Sequence, residues 1–222
     1  MQADVRCERL LVRLSSSHGR EFFKGGIVDY LAAAMEMLGG ARNKNTNSLF
    51  WEGLHGRFGV ELPRDFRAIV DAFAPVQINH HLYLQHPENE RWNLGDWMES
   101  TIEAWSQVEW NDVHPSEDPR ILFGLEEIAF GGGTGLLPIT STDRGETVFL
   151  TRISNAACLL VEDGEGGWEC HEMSFAEWLY RYLIGEEMAG PATFYAGPVR
   201  LQSLPVSPDG GLKSWYGPPR GM

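Results

Sequence analysis

A chain of 222 residues with 43% apolar and 22% charged side chains suits one ordinary domain with a real core. Its 31 acidic residues outnumber 18 basic ones, a net charge of −13. That balance argues against a phosphate backbone or an anionic membrane surface as partner, because each needs clustered Lys and Arg, and it favours a basic protein partner or serves solubility alone.

Eight Trp and eleven Phe enlarge the core. Each buries on the order of 150–250 Å², so no metal or disulfide is needed to hold the chain together. Cys7, Cys158 and Cys170 form no CxxC pair and leave an odd count, unlike a zinc site or a disulfide framework. The apolar run Leu10–Leu14 is interrupted by Arg13, which fits neither a secretory segment nor a membrane span. The expected location is the cytoplasm.

In chain order, residues 1–47 read as a helical extension and linker. Ile27, Tyr30, Leu31, Ala34, Met35 and Leu38 keep helical spacing up to Gly39-Gly40, and the polar run 42–47 follows. The main domain spans 48–190. It opens with a helix carrying Trp51, Leu54, His55 and Phe58 and ending at Gly59. Leu62-Pro63 starts a second helix with an apolar face of Phe66, Ile69, Val70 and Phe73, which Pro75 prevents from continuing.

Val76 to Leu84 alternates apolar and polar residues, the pattern of one strand. A third helix places Leu94, Trp97, Met98, Ile102, Trp105 and Val108 on one face. The second half reads as antiparallel hairpins: 136–140 with 146–150 around Asp143-Arg144-Gly145, and 157–162 with 168–171 around Asp163-Gly164-Glu165-Gly166. Ser174-Phe175-Ala176-Glu177 is a capping-box signature opening a last helix. Residues 191–222 hold six of the twelve prolines and are expected to form an irregular tail.

Together these elements predict an α+β fold. The ordered pieces also resemble the SUKH superfamily, which includes yeast cell-wall-assembly regulators and many bacterial immunity proteins. The residues carrying the likeness are Trp51 with Gly59 and Leu62-Pro63-Arg64-Asp65-Phe66, then Leu137-Pro138-Ile139. Gly145 with Val148-Phe149-Leu150 follows, and Phe175 with Trp178-Leu179 closes the set, so that about residues 48–186 are covered. Where that family usually has glycines after the second helix, this chain has Phe73-Ala74-Pro75. The resemblance implies a SUKH-like α+β fold, a mixed or antiparallel β-sheet packed against several α-helices, with no cofactor, no catalytic residues, and neutralisation of a partner toxin by direct binding. A regulatory or scaffold protein inside the cell is the alternative.

His80, His81 and His86, followed by Glu88 and Glu90, are the best set for a metal-dependent or acid–base enzyme, since a continuous strand would turn His80 and His86 to one face. The set lacks HExxH or any compact ligand spacing, and no metal ligand is assigned. Gly131-Gly132-Gly133-Thr134-Gly135 is followed by Leu136-Leu137-Pro138, not by the Gly-Lys-Ser/Thr of a phosphate loop. Ser15, Ser16 and Ser17 before His18 offer no nucleophile elbow, and Asp143 with Glu146 reads as turn chemistry.

Recognition residues are more promising. Residues 88–127 carry eleven acidic side chains against two Arg, a net of −9, and residues 162–190 carry eight against one, a net of −7. Asp96, Glu99 and Glu103 fall on one helical face with Asn93 before them and Glu109 beyond, an acidic stripe suited to a basic partner. Trp92, Trp110, Tyr195 and Trp215 lie in or near expected loops and are candidate interface anchors.

Overall fold

The computed structural model describes residues 28–42, 47–125, 127–133, 135–153, 156–190, 197–205 and 211–219. Cys7, the Ser15–His18 cluster and Tyr195 lie outside them. Among the described residues are six helices and eight strands: α1 (Tyr30–Leu38), α2 (Ser48–Phe58), α3 (Arg64–Phe73), β1 (Val76–Ile78), β2 (Leu82–Leu84), α4 (Leu94–Ser106), α5 (Pro119–Phe123), β3 (Leu137–Thr142), β4 (Thr147–Ile153), β5 (Ala156–Glu162), β6 (Trp168–His171), α6 (Phe175–Ile184), β7 (Arg200–Ser203) and β8 (Ser214–Tyr216). The strands form one sheet in the order β6-β5-β4-β3-β2-β1-β7-β8, with every neighbouring pair antiparallel. The α+β expectation holds, and of its two sheet types the antiparallel one is found.

Local chemistry explains the helix ends. Asn47, Asn93 and Asp118 each accept a backbone N–H of the first turn of α2, α4 and α5, and Gly59, Gly124 and Gly185 close α2, α5 and α6 in the left-handed region. At the start of α6, Ser174 Oγ accepts the Glu177 N–H at 3.2 Å. The reciprocal half of the capping box is absent, because the Glu177 carboxylate takes Arg181 Nη2 at 2.7 Å. Asp65 on α3 supplies a further cap, accepting Ala176 N–H at 2.8 Å and placing a carboxylate at the positive end of α6.

The expected single strand 76–84 is instead a hairpin. Asn79 and His80 both have positive φ, 52° and 57°, and Ile78 C=O accepts His81 N–H at 2.9 Å, the mirror-image turn that suits strand twist. Cross-strand partners share a face, so Val76↔Leu84 and Ile78↔Leu82 present to the core the same four residues that one strand would. The C-terminal region also departs from expectation. Residues 200–203 and 214–216 are strands β7 and β8, and Arg200 N–H donates to Asn79 Oδ1 at 2.9 Å, tying β7 to the hairpin turn. Pro138 fits inside the sheet because a register shift between Pro138 and Thr140 bulges β3 there.

Two hydrophobic clusters result. The larger contains Phe66, Ile69, Leu82, Val148, Val161, Phe175, Trp178 and Leu179, and draws on α1, α2, α3 and α6. The smaller is built on Leu136, just before β3, with Phe149 and Leu160, which point the opposite way from Val148 and Val161 on β4 and β5. Helix α4 contributes to both, Leu94 and Met98 to the first and Trp105 to the second.

Candidate functional site

The second cluster carries the most distinctive surface of the molecule. Phe149 is fully buried on β4, opposite Leu160 on β5, which is opposite Cys170 on β6. Over this floor Trp105, Trp110, Phe130 and Trp168 converge from four separate segments and remain half-buried. Trp105 stacks on Trp110 at 6.1 Å and on Phe130 at 5.8 Å, and meets Trp168 and Phe149 edge-on at 5.5 and 5.7 Å. Trp110 also lies 6.0 Å from Phe130 and 6.2 Å from Trp168. Ring pairs at such separations add about 0.5–1.5 kcal/mol each beyond area burial, so the rings are held in place without a ligand.

Arg120 locks the loop that brings Trp110 in. Its Nη2 donates to Trp110 C=O at 2.7 Å and to Asp118 Oδ2 at 2.8 Å. The hydrogen bond from Arg120 holds the buried Asp118 carboxyl below its ordinary pKa. One of the two arginines of the acidic region 88–127 is thereby occupied internally. Near the rings along the chain, Glu109, Asp112, Glu117 and Glu165 are all exposed, while Glu169 is exposed on the other face of β6. Glu117 packs against Gly166 in the β5–β6 turn, which brings the two acidic stretches of the sequence together.

Of the six expected interaction residues, the structure divides the set. Asp96 and Glu99 are not a free stripe: Arg57 on α2 donates to Asp96 Oδ1 at 2.9 Å and also binds Glu99, and these two hydrogen bonds raise the guanidinium pKa. Glu103 and Glu109 are exposed and have no basic partner among the described residues. Trp92 is not a free anchor. Its Nε1 donates to Pro205 C=O at 3.0 Å and its ring stacks on Tyr83 at 6.3 Å, which straps the 86–93 loop to the chain after β7. Trp110 belongs to the aromatic cluster, and Trp215 lies beneath the Arg42 guanidinium, 4.8 Å from the ring centroid.

The three histidines go to three different places. His80 is exposed in the β1–β2 turn, and His86 is buried, its Nδ1 accepting Glu88 N–H at 3.1 Å. His81 is buried beside Tyr182, with Nδ1 3.0 Å from the phenol oxygen and the two rings stacked at 5.9 Å. Its Nε2 faces Glu146 Oε2 at 3.7 Å and Asp143 Oδ1 at 3.8 Å without a hydrogen bond, while Glu146 accepts the Thr142 hydroxyl. Burial lowers the pKa of both His81 and His86. The expectation that His80 and His86 share a strand face fails because the turn intervenes.

A cavity of about 210 Å³ is lined by Trp51, Leu54, Val60 and Leu62 and touches none of these histidines. Among the described residues no group of three or more His, Cys, Asp or Glu side chains is arranged to hold a metal ion, and no helix is long and apolar enough to cross a membrane. Cys158 and Cys170 lie on one face of the β5–β6 hairpin without a disulfide between them. Their mutual hydrogen bond, reinforced by burial, pushes the Cys170 pKa up.

No protein-family model matches the chain, and neither a curated protein nor a solved structure matches it.

The expected third helix already contained Trp105, and the expected strand 168–171 contained Trp168, but nothing local in either announced their meeting. The one sequence signal was the alternation Trp168, Glu169, Cys170, His171, which sets Trp168 and Cys170 on a single side.

Proposed function

We propose that this chain is a non-catalytic protein-binding module that grips a basic partner protein through the acid-rimmed aromatic face around Trp105, Trp110 and Trp168. The observation that carries the reading is the coincidence, at one place, of a preformed half-buried ring cluster with exposed carboxylates that lack basic partners among the described residues. Large aromatic anchors inside a polar rim are what protein interfaces use for affinity, and a single-sign rim speeds encounter with an oppositely charged partner.

With the SUKH-like order of its motifs, the most specific form of the reading is an immunity-type protein, acting in the cytoplasm, that neutralises a toxin by direct binding. Neither a catalytic step nor a cofactor enters this account. Purification from the native host of the wild-type chain and of the Glu103→Lys/Glu109→Lys/Asp112→Lys variant tests it. The wild type should bring down a basic protein whose toxic activity it suppresses, and the variant should retain at least tenfold less of it with unchanged thermal stability. Equal retention by the variant, or a partner whose activity is unaffected, overturns the reading.

A further inference from the structure

The sheet ends differently at its two edges. At β8, Gly217 packs against the Met37 carbonyl and Tyr216 C=O lies beside Gly39, so the end of α1 runs along that edge, and Arg42, Arg200 and Lys213 surround it. At β6, no described element pairs with the outer side, and Glu169 stands out with its side chain 69% exposed.

The hydrogen-bond phase of β6 shows which groups are on offer. Asp163 N–H donates to Gly167 C=O at 3.0 Å, which closes the turn. Bonded and non-bonded pairs alternate in an antiparallel ladder, so Val161↔Glu169 and Leu159↔His171 exchange bonds. Trp168 and Cys170 therefore direct their N–H and C=O outward, four unpaired backbone groups in a row beside the aromatic cluster.

We infer that β6 receives an extended segment of the basic partner as an added strand. This rests on the proposed docking face and specifies how it is used. Neighbours across a ladder share a face. Residues opposite Trp168 and Cys170 would continue the aromatic surface and need to be apolar, while those beside Glu169 would meet carboxylate and need to be basic. The recognised segment thus alternates basic and apolar residues. A second copy of this chain is a poor occupant, because pairing β6 with itself would bring Glu169 towards its own counterpart, a standard defence of exposed edges. Strand addition of this kind draws affinity from main-chain bonds and specificity from alternate side chains.

The test uses an acetylated, amidated peptide of five Arg-Val repeats, measured by fluorescence anisotropy on the full chain. In antiparallel pairing the residues opposite Trp168 and Cys170 turn their N–H groups to β6. N-methylation of the valines should then weaken binding at least tenfold, while N-methylation of the arginines leaves it within about twofold. Glu169→Lys should weaken the parent peptide as well. Failure of the parent peptide to bind, or equal affinity of the two methylated forms, overturns strand pairing. Equal methylated forms that still lose binding to the Glu103→Lys/Glu109→Lys/Asp112→Lys variant would leave the face as an electrostatic dock. A parent peptide indifferent to that variant would remove the docking face itself.

Discussion

Acid should destabilise this protein through His171, and the loss can be worked out. The His171 side chain is 12% exposed on β6, its Nε2 lacks a hydrogen bond, and Glu169 Oε2 stands 3.7 Å away. Burial, helped by the charge of Arg181, lowers its pKa from 6.5 to about 4. A histidine whose folded pKa is depressed binds fewer protons when folded than when unfolded, so stability is intact above 6.5 and falls as pH drops from there towards 4. Between pH 7.5 and pH 5 the loss is about 2 kcal/mol, on the scale of 1.36 kcal/mol per unit. Denaturant unfolding of wild type and His171→Gln at both pH values isolates this share. His81 and His86 move in the same direction but are present in both proteins, and any pH-independent cost of the substitution cancels. The variant should gain about 2 kcal/mol relative to wild type on going to pH 5. A difference between the two proteins that does not change with pH would refute the reasoning.

Further substitutions test the packing. Phe149→Ala removes the buried floor of the ring cluster and should cost about 3–5 kcal/mol by thermal or chemical denaturation, with loss of near-ultraviolet Trp signal. Asn79→Ala loses the acceptor for Arg200 N–H and leaves an alanine at positive φ, for about 1–3 kcal/mol, whereas Asn79→Gly relieves the backbone and should cost less. Hydrogen exchange should show β7 loosened in both. Gly190→Ala places a methyl group against the Glu146 carboxylate at φ 68° and should cost roughly 1–3 kcal/mol, a penalty that a shorter residue at 146 partly relieves.

Much of the fold was legible because local signals agreed with the tertiary structure. Helices α2, α3, α4 and α6 follow their apolar spacing, with Asn or Ser caps opening α2, α4 and α6 and prolines bracketing α3. The β1–β2 hairpin was hidden for a symmetry reason: folding about the three residues Asn79-His80-His81 pairs Ile78 with Leu82 and keeps Val76, Ile78, Leu82 and Leu84 on one face, so alternation alone cannot separate one strand from two. Strands β7 and β8 were masked by proline-rich surroundings, although Val199 and Leu201, both buried, carry the alternation of a strand. At the site, the acidic excess was visible, but its pairing was not, since Arg57 reaches Asp96 and Glu99 from 39 and 42 residues away. The aromatic face was equally non-local. Trp110 was marked as an anchor, yet its neighbours Trp105, Phe130 and Trp168 arrive from a helix, a glycine-rich loop and an edge strand.

Hydrogen–deuterium exchange of the full chain, free and saturated with its purified partner, reads the docking face directly. Protection should concentrate in peptides spanning 103–112 and 165–171, with the 48–62 cavity region and the 79–81 turn unchanged. Protection confined to those latter segments, with none at 103–112 or 165–171, would show that the partner binds elsewhere.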